Sequence, residues 1–261
     1  MNHRPTPVRR RVATRAVRAV GTGLAAALAL GAGLAAAAVP ACSARSGATP
    51  PLVIELYTSE GCSSCPPADR WLSTLAQRAD VLPLAFHVDY WDRLGWTDRF
   101  ASREGTERQY RLAQAAGSNN VYTPQVLADG RDWRGWPRLP APAPPATAAP
   151  ALTLERSGDT VVAEVAAAPG RAHLSGYWAV LEDGHSSRVA AGENAGETLR
   201  HDHVVRLYRP ADAWDARTPH RQTLRVLPGV PAYPRRVAFV VTDPGTLRPL
   251  QAVVLPVAGD C

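Results

Sequence analysis

The chain has no lysine: all 29 of its Lys-plus-Arg cations are arginine. That excludes a phosphate-cradling Walker lysine, a Schiff-base lysine and a Ser-Lys catalytic pair. Gly-x-Ser-x-Gly elbows and His-Glu-x-x-His segments are also missing, so hydrolase readings have no residues to rest on. Charge of one sign is scarce once the first 41 residues are set aside. Those hold Arg4, Arg9, Arg10, Arg11, Arg15 and Arg18 with no acid, and the 23 arginines beyond them balance 23 Asp plus Glu. The formal charge of +6 therefore belongs to the N-terminus. A nucleic-acid partner is not expected, because counterion release needs clustered cations that the remainder lacks. Cysteine is limited to four residues, Cys42, Cys62, Cys65 and Cys261.

What the N-terminus does have is a basic stretch, Arg4 to Arg18, followed by an Ala/Gly/Leu run from Val20 to Val39. Small residues, Val39-Pro40-Ala41, precede Cys42. Residues 1–41 thus read as an export signal, placing the mature chain in the bacterial periplasm or at the cell surface. An uncleaved anchor, a twin-arginine signal at Arg9-Arg10-Arg11 and a lipid anchor on Cys42 stay open, and membrane association is expected only through these. Gly21 and Gly23 lie inside the apolar run with no preceding strand, so they are no nucleotide fingerprint.

In an oxidising compartment cysteines tend to be bonded or redox-active. The simplest pairing is Cys62 with Cys65 and Cys42 with Cys261, the second a structural disulfide closing almost the whole mature chain, with a ceiling of about 5 kcal/mol. Leu52 to Tyr57 is a strand-like run that leads through Thr58-Ser59-Glu60-Gly61 to Cys62-Ser63-Ser64-Cys65. Pro66-Pro67 then opens a helical pattern reaching Ala79, with Trp71, Leu72 and Leu75 on one face. A strand from Leu82 to Val88, a helix from Glu104 to Ala116 and a strand ending in the Asp129-Gly130 hairpin turn follow. A Pro/Ala-rich linker over residues 137–150 separates residues 50–136 from a β-rich segment, 151–261. Short runs at Leu152, Val161, Tyr177, His203, Thr223, Val237 and Gln251 suggest a small antiparallel sandwich there. His201-Asp202-His203 would place two imidazoles on one face of a strand.

A thiolate at a helix N-terminus is favoured by the positive end of the dipole and by free N–H groups. Cys62 is therefore expected as the exposed nucleophile, and Cys65, one turn in, as the shielded thiol that resolves a mixed disulfide.

The order strand, helix, strand, helix, strand, hairpin, with Cys-x-x-Cys after the first strand and Thr123-Pro124 before the third, resembles the thioredoxin fold, most closely its glutaredoxin branch. Four stretches are more specific: Val53 to Asp69, Phe86-His87-Val88-Asp89-Tyr90-Trp91-Asp92, Val121-Tyr122-Thr123-Pro124-Gln125 and Ala191-Gly192-Glu193-Asn194. Together they resemble the exported bacterial domain-of-unknown-function family numbered 1223. The resemblance implies an α/β thioredoxin-like domain over 50–136, lacking a clear last helix, followed by the sandwich-like C-terminal domain. It implies a cis bond at Thr123-Pro124, a groove floored by Tyr90 and Trp91, and a proton acceptor for Cys65 at Glu55 or Asp69.

The function expected is thiol:disulfide exchange, with protein or small-molecule thiols and disulfides, a redox recycling partner and no cofactor. Two alternatives remain. One is a binding protein in which Cys62–Cys65 is a permanent staple, favoured if the pair is buried. The other is a Cu(I) module with Cys62, Cys65 and His87 as ligands.

Overall fold

Leu52–Thr58 is buried almost throughout and built of β-formers, and in the computed structural model it is a central strand. The structure describes residues 42–141, 149–226, 230 and 232–257, so the export segment and Cys261 lie outside it. Among the described residues, strands β1 (Cys42–Arg45) and β2 (Leu52–Thr58) precede helix α1 (Pro66–Ser73). Strand β3 (Val81–His87), helix α2 (Arg103–Ala115), β4 (Gln125–Ala128) and β5 (Arg131–Asp132) come next. The rest is strand: β6 (Leu152–Ser157), β7 (Thr160–Val165), β8 (His173–Glu182), β9 (His185–Arg188), β10 (Thr198–His201), β11 (Val204–Asp215), β12 (His220–Arg225), β13 (Arg235–Thr242) and β14 (Pro249–Pro256).

These strands overturn the expected fold class. The protein is mostly β, with 43% strand and 15% helix, and does not divide into an α/β thioredoxin-like unit and a free-standing sandwich. One eight-stranded mixed sheet, in the order β14-β13-β8-β11-β3-β2-β4-β5, runs through both segments. The joint is a parallel pairing of β11 with β3 at Val204 and Ala85, reinforced by the Ala85 N–H donating to the His203 carbonyl at 2.8 Å. The reason is physical: a β3 with no partner there would present unpaired backbone groups, and strands supplied from the C-terminal half take that place.

Side-chain alternation sorts the cores. Ile54 and Leu56 face α1 and pack with Leu72, Leu75, Ala85 and Val126, joined by Trp133, Trp136 and Leu139 from the segment after the hairpin, where the sequence shows no clear last helix. Farther along the large sheet, Trp178, Val180 and Phe239 meet Leu152, Leu154 and Val161 of a second sheet, β1-β6-β7-β12. The opposite face buries Val53, Tyr57, Phe86 and Leu181 with Leu112 of α2. Here Glu55 is held by Arg108 of α2 through two bonds of 2.6 and 2.9 Å. Pro83 sits inside β3 without breaking its ladder to β2, where Ile54 is its partner.

Several boundaries differ from expectation. Helix α1 ends at Ser73 and passes into a 3-10 turn, Thr74–Gln77, rather than continuing to Ala79. Strands β1, β9 and β10 lay outside the hydrophobic pattern. His201 and His203 do not share a strand face, because β10 ends at His201 and His203 has φ of +59°.

Candidate functional site

The loop after β2 turns sharply, with the Cys62 N–H donating to the Ser59 carbonyl, and delivers Cys62 and Cys65 to the start of α1. The two cysteines form a disulfide. Pro66 and Pro67 occupy the first helical positions and carry no N–H, while the Ala68 and Asp69 amides are both spent on the Cys65 carbonyl. The expected cluster of free helix donors around the sulfur is therefore thinned by the two prolines, leaving the dipole itself.

Neither cysteine is exposed, each at 0%, whereas Ser63 and Ser64 between them are exposed. This corrects the expected exposed Cys62. A turn between β9 and β10 grips the loop. The Glu193 carboxylate accepts from the Ser63 N–H at 3.0 Å and the Ser63 hydroxyl at 2.7 Å. These two bonds hold its carboxyl below the usual carboxylate range. Buried Asn194 donates from Nδ2 to the Glu60 carbonyl at 2.9 Å and the Cys62 carbonyl at 3.0 Å. Sequence reasoning assigned neither residue a role; their signal was the Ala191-to-Asn194 stretch, more than a hundred residues from the cysteines.

Of the two expected proton acceptors the structure favours Asp69. It is buried on α1, one turn beyond Cys65, and its Oδ2 accepts from the Thr58 hydroxyl at 3.1 Å. Burial raises its pKa, against the opposing pull of His201 and His87. Glu55 lies on the other face of β2, its oxygens taken by Arg108, Tyr57 and Tyr177. That makes Glu55 part of a structural network.

Behind the loop lies a further buried cluster. Glu60 accepts from Trp96 Nε1 at 2.8 Å and stands 3.2 Å from His201 Nε2. Its own N–H donates to Asp98, which also receives His87 Nδ1 at 2.6 Å and the Phe100 N–H at 2.8 Å. Burial opposes ionisation of Asp98, but His87 and the two backbone donors outweigh it and hold its pKa at about 2. His87 responds in the other sense: burial pulls it down, yet Asp98 and the neighbouring acids bring it above its ordinary value. Cys62, Cys65 and His87 do not make a metal site, and no cluster of three suitable ligands occurs among the described residues.

Trp91 ties the remaining predicted residues together. Its Cβ would lie 3.3 Å from a Cβ built on Gly61, and its Nε1 donates to the Thr123 hydroxyl at 2.7 Å. Thr123–Pro124 is cis. Tyr90 reaches α2, its hydroxyl donating to Gln109 at 3.3 Å, and it also interacts with the Thr123 hydroxyl; burial outweighs both and pushes its pKa up to about 12. Cys42 is disulfide-bonded, as the sequence suggests, although its expected partner Cys261 lies outside the described residues.

These features define a β-rich protein with a Cys-x-x-Cys disulfide at the start of a short helix, gripped by a distant β-ribbon. The chain belongs to the family described as protein of unknown function (DUF1223), whose model matches residues 53–242. It is similar to a structural-genomics crystal structure of a protein from Agrobacterium tumefaciens, at 29% identity and a TM-score of 0.58, over 78% of this chain and 93% of that one. It also shares its fold with HBP35 of Porphyromonas gingivalis, at 17% identity and a TM-score of 0.50, over 80% and 76% of the two chains. Neither is described as a thioredoxin. No curated protein matches the chain.

Proposed function

We propose that the protein is an exported thiol:disulfide exchange protein working through Cys62 and Cys65. The observation that carries this reading is the disulfide itself, which joins residues only three apart in sequence. In the chain-entropy relation such a short loop yields about 2 kcal/mol, the low end for a staple, so chemistry accounts for the bond better than stability does. Buried Asp69, on α1 one turn beyond Cys65, supports the same reading: burial raises its pKa, which suits it to holding a proton close to the cysteine pair.

In the exchange step a partner thiolate bonds to Cys62 Sγ, and the Cys62–Cys65 bond breaks with its electron pair on Cys65 Sγ. Asp69, protonated, supplies the proton that this thiolate takes up. A second partner thiol, deprotonating as it attacks the mixed disulfide, releases Cys62 as a thiolate that is then protonated. Overall the protein gains two thiols and the partner becomes a disulfide; the reverse sequence oxidises a partner dithiol. The recycling partner and the export route stand with this proposal as sequence expectations.

The complete burial of both cysteines favours a second reading, a binding protein with a permanent disulfide. Equilibration of the protein lacking residues 1–41 in glutathione buffers separates the two. Exchange predicts a potential between about −120 and −270 mV and mixed disulfides trapped on Cys62 in Cys65→Ser. A potential below about −300 mV with nothing trapped refutes exchange and leaves the staple.

A further inference from the structure

We propose that Glu193 and Asn194 form a latch that determines which partner reaches the Cys62–Cys65 disulfide. The inference rests on the exchange reading for its chemistry, and on separate geometry for its mechanics.

An attacking thiolate must approach a disulfide sulfur along the line of the bond that breaks. With both cysteines wholly buried, that approach is closed in this structure. What closes on the loop is the β9–β10 ribbon, which packs against α1 and places Glu193 on Ser63 and Asn194 on the carbonyls of Glu60 and Cys62. Its tip is tied to itself. Val189 donates to Glu197, Gly196 to Val189, Glu197 to Asn194 and Ala195 to Gly192, so the tip can lift as a unit. Gly192 and Gly196 flank the two latch residues at φ of +78° and +92°, a conformation other residues reach only with strain. Below the tip the ribbon stays anchored, with His201 of β10 against Glu60.

The two sides of the latch differ in accessibility. Asn194 is buried, but Glu193 is exposed and its bonds are made to the N–H and hydroxyl of an exposed serine. A partner can therefore open the latch by offering its own acceptor to Ser63. An extended polypeptide does this with a backbone carbonyl beside its cysteine and holds it there through further backbone contacts, whereas dithiothreitol has no peptide carbonyl and glutathione, with its two, has no flanking chain to hold one in place. The geometry thus points to protein thiols and disulfides as the substrate class, with Glu193 as the residue that holds small thiols back.

The test is the rate at which dithiothreitol and glutathione reduce Cys62–Cys65 in the mature protein, in Glu193→Ala and in Glu193→Gln. Each lost hydrogen bond is expected to raise the population of open latch by about fivefold. Glu193→Ala, which loses both bonds, should then be reduced up to about twenty-fivefold faster by both reagents. Glu193→Gln keeps an acceptor oxygen and should stay near the parent rate. Hydrogen exchange at the Ser63 amide provides an independent reading, with protection lost in Glu193→Ala and retained in Glu193→Gln. Unchanged reduction rates and unchanged Ser63 protection in Glu193→Ala would overturn the latch, even if Cys65→Ser still traps partners. Acceleration in Glu193→Ala together with a potential outside the exchange range would uphold the latch and remove the exchange reading instead.

Discussion

Asp98 gathers His87 Nδ1 and the amides of Glu60 and Phe100 on one buried carboxylate, so its charge is part of how the loop ahead of Cys62 is held. Its pKa of about 2 is depressed from the 3.8 of an unfolded chain, so the stability it contributes is present above about pH 4 and lost as pH falls towards 2. His87 is raised, so its share is complete below about pH 6.5 and fades as pH rises through its folded value. Asp98→Asn should cost about 2 kcal/mol near pH 5.5, and the gap to the parent should narrow towards pH 2. Urea denaturation at the two pH values checks this; a gap independent of pH would refute it. At this scale the cysteines were legible because their spacing and the prolines after them are local. Choosing Asp69 over Glu55 needed the parity of β2. Its alternation sends Leu56 and Thr58 towards α1 and Glu55 away from it.

Helix α2 reaches the buried face of the sheet through a charged side chain. Arg108 lies 4.1 Å from the Tyr177 ring centroid and makes both of its short bonds to Glu55. Arg108→Met leaves the buried Glu55 carboxyl without its partner, which should cost about 3–5 kcal/mol. Adding Glu55→Gln should recover much of that loss, because a neutral amide is less costly to bury than an acid that has lost its partner. Denaturant midpoints of the two single variants and the double variant measure the coupling. Elements with apolar alternation were readable: each of the seven C-terminal runs overlaps a strand, although His203 precedes β11 and the run from Thr223 passes the end of β12 at Arg225. Strands β9 and β10 were not, because several of their inward positions hold His185, Ser187 and His201 in place of aliphatic residues. The period is there, but its hydrophobic contrast is missing. The latch was hidden for the same reason, and because no local rule connects Glu193 to Ser63.

The assembly was the least legible level. A strand run does not state its partner, and the Pro/Ala-rich segment over 137–150 looked like a boundary although the sheet is continuous across it in space. Since β11 completes β3, while β8 and β13 share a core with β2 and β3, the two halves are expected to unfold together. Tryptophan fluorescence and far-ultraviolet circular dichroism should give coincident urea transitions. Separate transitions would show that the halves are energetically independent.

Pro83 gives this architecture an explanation from within a single strand. Along β3, amides two residues apart point to the same side, and the Ala85 amide points to β11. The missing amide of Pro83 therefore faces that side as well, leaving the ladder to β2 intact and removing the next rung that the chain ahead of β11 would need. Pairing begins at Val204, and the residues before it leave the plane at His203, with its positive φ. Pro83 is thus a terminator of sheet growth: it removes the rung before Val204, so the ladder to β11 starts there and the chain ahead of it turns away towards the ribbon that grips the disulfide loop.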